Sequence, residues 1–440
     1  MKVLKFGGTS VGSVKNMCNV KNIINDGTKK VVVLSAMSGT TNALVEIANY
    51  IFEKTPNKAI DAINTLHESY FKTIDALLSN TQLKDETKAY VTGIFNFLVT
   101  CTYEGYSKKL ENNIVAQGEL LSTYMFNAYL NQEGISSTLL PALEFMRING
   151  VKEPDHFYIK KQLKNVMASA PETNIYITQG FICLDQKGDV SNLQRGGSDY
   201  TATIIGAAIK AQEVEIWTDI DGMHNNDPRY VENTNPISNL SFDEAAELAY
   251  FGAKILHPQT ILPVREDGIP VRLKNTMAPE AHGTLISSQT SENGIKAIAA
   301  KDNITAIKIK SGRMLQAHGF LKKVFEIFEV YETSIDMITT SEVAVSLTID
   351  DDRNLDKIIT ELEEFGTIEV DKGQTIVCLV GHSIVNHEST FKLFQILKDV
   401  KIRMISYGGS KNNISLLINS KGKVTSLNKL NNYLFELVTL

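Results

Sequence analysis

The sequence predicts an α/β protein in which helices cover both faces of a mostly parallel sheet, followed by two small α+β units. Three observations favour this class. From residue 1 to about 286, short apolar β-branched runs alternate with helical patterns, as in a parallel sheet covered by helices. A polar, turn-rich segment then runs from Ser287 to Gly294. Beyond it, SEVAVSLTID from Ser341 aligns with SKNNISLLIN from Ser410, 69 residues later.

The strand candidates of the first part are short apolar runs, each followed by glycine or small polar residues. They are Val3 to Phe6, Val31 to Ser35, Ile175 to Phe181, Val214 to Thr218 and Ile269 to Leu273. Between them, the stretch from about Asn42 to Leu130 has few glycines and has apolar positions three and four residues apart. This pattern predicts a helical excursion beside the sheet.

The length predicts several domains, since one hydrophobic core rarely grows beyond about 250 to 300 residues and this chain has 440. We place the domains at residues 1–290, 295–371 and 372–440. The last division depends on the repeat, which also aligns Ile307 and Ile309 with Ile376 and Cys378. Short apolar matches arise by chance as well, so these residues alone leave the repeat open.

The composition excludes several classes of function. The formal charge of −6, from 44 basic and 50 acidic side chains, argues against a basic surface for nucleic acid or anionic lipid. No signal-peptide pattern and no apolar run of about 18 residues occurs, so we expect a cytoplasmic protein with no membrane partner. The four cysteines lie far apart, and no histidine stands near them at metal-ligand spacing. No metal site made by the protein is expected.

The first candidate motif is KFGGTSVG, Lys5 to Gly12, between a strand and a helical pattern. Glycines in such a turn let backbone N–H groups approach phosphate, and Lys5 adds a positive charge. Ser13 stands where a Walker motif requires lysine, so this is not a P-loop. A plain tight turn, with Lys5 extending from an edge strand to solvent, explains this motif equally well when it is taken alone.

Two further motifs offer polar groups near the first. SAMSGTTNAL follows a strand and supplies Ser35 and Thr41, one of which a helix cap would explain. QGELLST places Glu119 among apolar residues of a predicted helix. That carboxylate is either a capping or solvated group, or the partner of a substrate ammonium.

The motif LQRGGSDYTA is the most informative. Arg195 can hold a carboxylate through two parallel hydrogen bonds, and the two glycines after it allow close backbone approach. Ser198 and Asp199 then stand at the start of a predicted helix. Asp199 alone could be an ordinary helix cap.

Two motifs end this part of the chain. WTDIDGMHNNDPR follows a strand and is dense in turn-forming residues, so a simple hairpin with Asp221 and Gly222 as its turn is possible. LSFDEAAELAYFGAKILHP predicts a helix with a capping box at Ser241 and Glu244. Lys254 lies in its last turn, where a cation also offsets the helix dipole. Together, the six motifs suit a zwitterionic amino acid and a polyphosphate.

In order and spacing, KFGGTSV, SAMSGTTN, QGELLST, RGGSDYTA, TDIDGM, NDPR and FGAKILHP resemble the aspartate kinases of the amino acid kinase family. The resemblance covers essentially the whole chain. It implies the amino acid kinase fold and transfer of the ATP γ-phosphoryl group to aspartate, the first step of lysine, threonine and methionine biosynthesis. It also implies Mg²⁺ bound with ATP.

The resemblance assigns roles to residues of this chain. Arg195 would hold the α-carboxylate of aspartate, while Glu119 and Asp199 would face its ammonium. The implied catalytic residues are Lys5, Asp199 and Lys254. The implied aspartate-binding residues are Ser35, Thr41, Glu119, Phe181, Arg195 and Ser198. The implied nucleotide-binding residues are Lys5, Gly7, Gly8, Thr218, Asp219, Arg229 and Lys254.

The C-terminal part resembles the paired ACT modules of the lysine-responsive members, which are ferredoxin-like and bind amino acids. Lysine is therefore the expected effector, with threonine, or lysine plus threonine, as alternatives. The implied effector residues are Met314, Phe320, Leu321, Ile335, Asp336, Ser341 and Glu342. The resemblance allows the two modules to interlace in sequence, and implies a homodimer or a dimer of dimers formed through them. Because the chain ends at Leu440, we expect no homoserine dehydrogenase domain.

Two alternatives remain at this stage. One is another amino acid kinase, acting on glutamate, acetylglutamate or a nucleoside monophosphate. Arg195 with Glu119, and the paired modules, favour aspartate. The other is a non-catalytic amino acid sensor with a decayed kinase domain, against which Lys5, Asp199 and Lys254 argue.

Overall fold

The structure is a computed structural model and describes residues 1–193, 196–252, 256–289, 293–312 and 318–436. Its strands are β1 Lys2–Phe6, β2 Lys30–Leu34, β3 Ser137–Leu140, β4 Ile175–Gln179, β5 Ile182–Leu184, β6 Val190–Asn192, β7 Val214–Thr218, β8 Asn239–Ser241, β9 Val271–Asn275, β10 Thr284–Ser287, β11 Gly294–Lys310, β12 Ile338–Thr340, β13 Ala344–Ile349, β14 Thr367–His382, β15 Ile402–Tyr407 and β16 Asn413–Asn419. Its α-helices are α1 Val14–Ile24, α2 Thr40–Phe52, α3 Pro56–Leu77, α4 Thr81–Cys101, α5 Lys108–Gln132, α6 Ala142–Phe145, α7 His156–Ala168, α8 Gly197–Ile209, α9 Phe242–Tyr250, α10 Leu262–Arg265, α11 Phe320–Val330, α12 Leu355–Leu362, α13 Glu388–Phe391, α14 Leu393–Ile396 and α15 Lys423–Asn431.

The chain divides into two compact units. The first unit comprises Met1–Met223, Ser238–Phe242 and Leu256–Gln289, and the second comprises His224–Ile237, Asp243–Ile255 and Thr290–Leu440. The second unit thus takes two segments from the first part of the sequence. The division into domains at residues 290 and 371 stays a prediction.

The first unit contains an eight-stranded sheet in the order β3-β4-β2-β1-β7-β9-β10-β8. All neighbours are parallel except β9 and β10. Every residue of β2 and β4 is buried, as expected of a parallel sheet covered on both faces. The predicted mostly parallel sheet is therefore confirmed.

Among the predicted strands, β1 and β2 differ from the structure by one residue at a boundary, and β4 and β9 differ by two. β4 ends at Gln179, because Phe181 adopts a left-handed conformation with φ of 67° that no strand accommodates. β9 starts at Val271 rather than Ile269. Gly268 has φ of 64°, and Pro270 has no N–H to donate to a sheet. Both differences lie where the backbone turns.

The predicted helical excursion is formed by α2 to α5. Its helices begin at clear signals: Pro56 is the first residue of α3, and Asn80 and Ser107 cap α4 and α5 by accepting backbone N–H bonds. Their apolar faces share one core with the sheet, in which Phe95 and Leu121 are almost fully buried. This packing fixes α5 beside the ends of the central strands.

The second unit contains a six-stranded antiparallel sheet in the order β12-β13-β11-β14-β16-β15. β13 and β16 start 69 residues apart, at Ala344 and Asn413, as the sequence repeat requires. Each repeat packs helices on its strands and has its own apolar core. The predicted pair of α+β units is confirmed.

The repeats are interlaced through the two long central strands. The pairing of β11 with β14 shifts register between Lys301 and Ile304. The β11 residues before this point pair with the end of β14, which also pairs with β16. The β11 residues after this point pair with the start of β14 on one side and with β13 on the other. The second repeat is thus built from sequence on both sides of the first. Residue 371 lies inside β14.

None of the helices in the described ranges is both long enough and apolar enough to cross a membrane.

The interlaced strands give a test of the fold. A Cβ added at Gly381 would lie 2.0 Å from the carbonyl oxygen of Gly294 on the paired strand. We expect Gly381→Ala to lower the free energy of unfolding of the second unit by roughly 2–3 kcal/mol, since backbone must move to relieve the clash. Urea unfolding followed by circular dichroism measures this.

Gly409→Ala is the matched control, because the nearest atom to its added Cβ is 3.9 Å away. Fluorescence of Trp217, the one tryptophan of the chain, reports the first unit separately. Equal stability of the two variants would contradict the described pairing of β11 and β14.

Candidate active site

The candidate site lies in the first unit at the carboxyl ends of four neighbouring parallel strands, β4, β2, β1 and β7. The motifs found in the sequence follow these strands directly, with Gly7 after β1, Ser35 after β2 and Gly180 after β4. Ligands of parallel α/β sheets bind at this edge, where the loops after several strands converge. The sheet order therefore brings together residues that are distant in sequence.

The turn after β1 requires its glycines. A Cβ on Gly8 would lie 2.8 Å from the carbonyl oxygen of Ala36, and one on Gly12 would lie 2.9 Å from that of Gly8. The Ser38 N–H donates to the Gly8 carbonyl oxygen at 3.1 Å. The turns after β1 and β2 are therefore packed backbone to backbone, which a side chain would prevent.

Lys5 and Asp199 form an ion pair in the middle of this edge. Lys5 Nζ lies 2.7 Å from Asp199 Oδ1, and the two side chains are 11% and 18% exposed. A Cβ on Gly7 would be 3.3 Å from the Lys5 Nζ, so the ammonium lies against the glycine turn. β1 has β2 and β7 on its two sides. Lys5 is thus not on an edge strand, and that alternative is excluded.

The start of α8 holds the pair in place. Asp199 lies in the first turn of this helix, where the helix dipole favours a negative charge. The Ser35 hydroxyl donates to Ser198 Oγ at 3.0 Å. A Cβ on Gly180 would be 2.3 Å from the same oxygen, so the end of β4 packs closely on α8. The Phe181 N–H donates to Thr201 Oγ1 at 2.8 Å.

Glu119 is buried in the middle of α5, with 3% of the residue exposed. Its Oε1 accepts the Ala36 N–H at 3.2 Å. Within the part of the chain that the structure describes, its Oε2 has no hydrogen-bond partner. Burial raises the pKa of Glu119 to about 7. Glu119 is therefore neither a cap nor a solvated group, and Oε2 can accept a hydrogen bond from a ligand.

Two residues that support the site were not singled out from the sequence. Ser122 donates its hydroxyl to the Ser35 carbonyl oxygen at 2.8 Å, and Thr201 accepts the Phe181 N–H. Both lie inside quoted motifs. Ser122 follows Glu119 by three residues, so helix geometry places both side chains on one face. That spacing is the feature of the sequence from which a role for Ser122 could have been predicted.

The remaining predicted residues are less closely connected. Thr41 lies in the first turn of α2, and Thr218 ends β7 and donates to the exposed Asp219 at 3.0 Å. Arg229 belongs to the second unit, where its Nη2 lies 2.6 Å from Asp227 Oδ2. Arg195, Lys254 and Met314 lie outside the described residues, so their predicted roles have no structural description.

The predicted effector residues lie in the second unit. Phe320 and Ile335 pack against the core of the first repeat, while Leu321 and Glu342 are exposed. Ser341 lines a cavity of about 570 Å³. Its lining also includes Lys308, Lys310, Thr339 and Ser346.

Asp336 stands apart from the others because its side chain is only 1% exposed. Its Oδ1 accepts the Tyr250 hydroxyl at 2.7 Å and lies 2.7 Å from Lys301 Nζ. Desolvation raises the pKa of Asp336 despite the stabilising charge of Lys301. The second oxygen, Oδ2, has no hydrogen-bond partner among the described residues.

Comparison with known proteins gives two family matches. Residues 1–275 match the amino acid kinase family, and residues 377–434 match the ACT domain. The chain is 34% identical to lysine-sensitive aspartokinase 3 of Escherichia coli, over 99% of each chain.

Two solved structures of Escherichia coli aspartokinase III are also similar, each at 33% identity. The complex with aspartate and ADP, called the R-state, gives a TM-score of 0.85 and covers 99% of this chain and 100% of the other. The complex with lysine and aspartate, called the T-state, gives 0.81 with 99% of each chain covered.

Glu119 yields a pH-dependent prediction. Its pKa is 4.5 when unfolded and about 7 when folded, so the folded state binds this proton more tightly. The resulting stabilisation is complete below pH 4.5 and is lost as the pH rises to about 7, a change of roughly 3 kcal/mol. We expect Glu119→Gln to gain stability relative to the unmodified protein by up to that amount between pH 5 and pH 8.

Urea unfolding of both proteins at the two pH values measures this gain. Glu133→Gln is the control, since Lys21 lowers the pKa of Glu133 and its substitution should give no gain at high pH. A stability difference between the Glu119→Gln and unmodified proteins that does not change with pH would contradict the burial of an ionisable carboxylate.

Proposed function

The chain belongs to the amino acid kinase family, among its aspartokinases, and from this premise we propose that it transfers the γ-phosphoryl group of ATP to the β-carboxylate of L-aspartate. The observation that supports this most is the arrangement at the sheet edge. The partly buried Lys5 ammonium, the partly buried Asp199 carboxylate and the buried Glu119 carboxylate lie around a glycine turn. A zwitterionic amino acid and a polyphosphate complement that set of charges.

In this proposal, the ammonium of aspartate binds near Glu119 and Asp199. The free Oε2 of Glu119 accepts one of its hydrogen bonds, which replaces an unsatisfied buried acceptor with a charge-assisted bond. Arg195 holds the α-carboxylate through two parallel hydrogen bonds. The other aspartate contacts are assigned to Ser35, Thr41, Phe181 and Ser198.

The phosphates bind at the turn after β1. Gly7 and Gly8 have no side chain to keep phosphate away from the backbone of this turn, and Lys5, whose Nζ lies against Gly7, supplies the positive charge. Thr218 and Asp219, at the end of β7, are the proposed nucleotide contacts of the first unit. Arg229 and Lys254 remain proposed nucleotide contacts on the resemblance alone.

The reaction requires positioning and charge stabilisation more than covalent chemistry by the protein. A β-carboxylate oxygen of aspartate forms the new bond to the γ-phosphorus while the bond to the β–γ bridging oxygen breaks. ADP leaves, and 4-phospho-L-aspartate, an acyl phosphate, is the product. Lys5 stabilises the charge on the transferring group, and Asp199 fixes the orientation of Lys5 in the absence of phosphate.

Mg²⁺ is proposed to enter with ATP. Among the described residues, no three His, Cys, Asp or Glu side chains are grouped to hold a metal ion. An ion that is bound chiefly through phosphate oxygens and water needs few protein ligands. Asp199, beside Lys5, is the carboxylate nearest to the proposed phosphate site. When bound, the ion would neutralise charge on the β- and γ-oxygens.

We further propose lysine as a feedback inhibitor bound at the repeats, with threonine, or both together, as alternatives. The similarity to a lysine-sensitive relative and to its lysine complex supports this. The seven predicted effector residues, a homodimer or dimer of dimers formed through the repeats, and a cytoplasmic location belong to the same proposal.

Hydroxylamine trapping tests the reaction directly. With Mg-ATP and aspartate, the acyl phosphate should give aspartyl hydroxamate at a rate that depends on the enzyme. Glutamate and acetylglutamate serve as competing acceptors, and lysine and threonine are added separately. Hydroxamate from another acceptor only would contradict aspartate as substrate, and none from any acceptor would favour the sensor alternative.

Lys5 provides the mutational test. We expect Lys5→Ala to lower kcat by roughly 10²-fold or more, because a preorganised charge at the transferring phosphoryl group is lost. Lys2→Ala is the matched control: Lys2 is on the same strand, forms ion pairs with Glu213 and Glu215, and is 44% exposed. Steady-state kinetics should show near-normal kcat for the control. An unchanged kcat in Lys5→Ala would remove Lys5 from catalysis.

A further inference from the structure

Helix α9 carries three polar side chains at a spacing of three residues along one face, Glu244, Glu247 and Tyr250. Each contacts a different element of the second unit. Glu244 Oε1 lies 2.7 Å from Lys296 Nζ on β11, and Glu247 Oε2 accepts a hydrogen bond from Asn413 Nδ2 on β16 at 2.5 Å. Tyr250, the last residue of α9, donates to Asp336 just before β12. The helix is thus attached to both repeats.

The attachment at Tyr250 is a network of charged groups. Lys301 Nζ lies 2.7 Å from Asp336 Oδ1, 2.8 Å from Asp350 Oδ2 and 4.5 Å from the centre of the Tyr250 ring. Asp336 Oδ1 therefore receives both a lysine ammonium and a phenol hydroxyl. An effector ammonium that approaches this carboxylate would meet both groups there.

Backbone contact makes the attachment rigid. Gly252 has φ of 124°, and a Cβ at that position would lie 2.3 Å from the carbonyl oxygen of Ala300, the residue before Lys301. The chain after α9 therefore lies directly on β11. Only Ala253 separates Gly252 from Lys254, the proposed nucleotide contact.

We propose that Lys301 and Tyr250 act as an internal ligand of Asp336, and that the ammonium group of an amino acid effector competes with them for this carboxylate. This inference rests on the proposed inhibition by lysine and names the groups that oppose effector binding. Tyr250 is a positioning residue in this scheme, because it acts through its hydrogen bond to Asp336.

The charges support the exchange. Asp336 is buried and one of its oxygens lacks a partner in the described ranges, so a second cation gains a charge-assisted bond there. Two ammonium groups on one carboxylate repel each other, which favours release of Lys301. Asp350, 39% exposed, remains as its partner. The Tyr250 hydroxyl can then turn to water, since the residue is 40% exposed.

Tyr250→Phe tests the competition by removing only the hydroxyl. A contact present only without effector opposes effector binding, so its loss must favour the bound state. We expect the lysine concentration for half-inhibition to fall roughly 10-fold, the value of one hydrogen bond to a charged acceptor. Most of kcat should remain. A variant that is merely damaged would instead lose kcat or lose inhibition.

Tyr331→Phe is the matched control, because Tyr331 also donates to a carboxylate, that of Glu361, within the first repeat. This substitution should leave the lysine concentration for half-inhibition unchanged. Asp336→Asn should abolish inhibition, because the shared acceptor loses its charge. Calorimetry of lysine binding to each full-length variant should rank the binding affinities in the same order as the half-inhibitory lysine concentrations.

These measurements distinguish a wrong effector from a wrong mechanism of competition. An unmodified protein that lysine neither binds nor inhibits would overturn both the proposed effector and the competition. Normal lysine inhibition with an unchanged or raised half-inhibitory concentration in Tyr250→Phe would overturn the competition alone. Tighter inhibition in Tyr250→Phe, absent from the control, supports it.

Discussion

The ion pair between Lys5 and Asp199 is the interaction on which the site depends. It joins the central strand β1 to the first turn of α8, so it fixes the helix start against the sheet edge. That position in turn sets where Ser198 meets Ser35 and where β4 must turn away at Gly180. The pair also holds the mostly buried Lys5 ammonium in one orientation beside the glycine turn, which is the preorganisation that the proposed phosphoryl transfer needs.

Much of this arrangement follows from the sequence, and the exceptions have physical causes. Apolar runs followed by glycine or small polar residues marked β1, β2 and β7 to within a residue, because a buried parallel strand is apolar and the turn after it is polar or small. β4 is shorter than predicted because Phe181 has a left-handed backbone conformation, which no local sequence pattern predicts. The burial of Glu119 depends on packing against distant residues. The position of Arg229 also depends on tertiary structure, because its motif follows β7 in sequence but belongs to the second unit.

The second unit combines two interlaced repeats with a helix from the first part of the sequence. Its central strands are shared by both repeats, and the second repeat takes strand residues from both sides of the first. Helix α9 comes from the first part of the sequence and contacts both repeats through its three polar residues. Under the proposed competition, an effector at Asp336 would release the hydrogen bond that holds Tyr250, the last residue of this helix. The capping box identified the start of the helix, but the predicted last turn around Lys254 is not part of it, since α9 ends at Tyr250. Its partners depend on tertiary structure.

In the proposed reaction, the buried Glu119 carboxyl group, about half protonated at pH 7, ionises when it binds the ammonium of the substrate. Calorimetric titration with aspartate in buffers of different ionisation enthalpy measures the protons released on binding. With a pKa of about 7 in the free protein, Glu119 should release about half a proton at pH 7 and nearly one at pH 6, as the ammonium stabilises the ionised form. Binding without proton release, or release that persists in Glu119→Gln, would contradict the account.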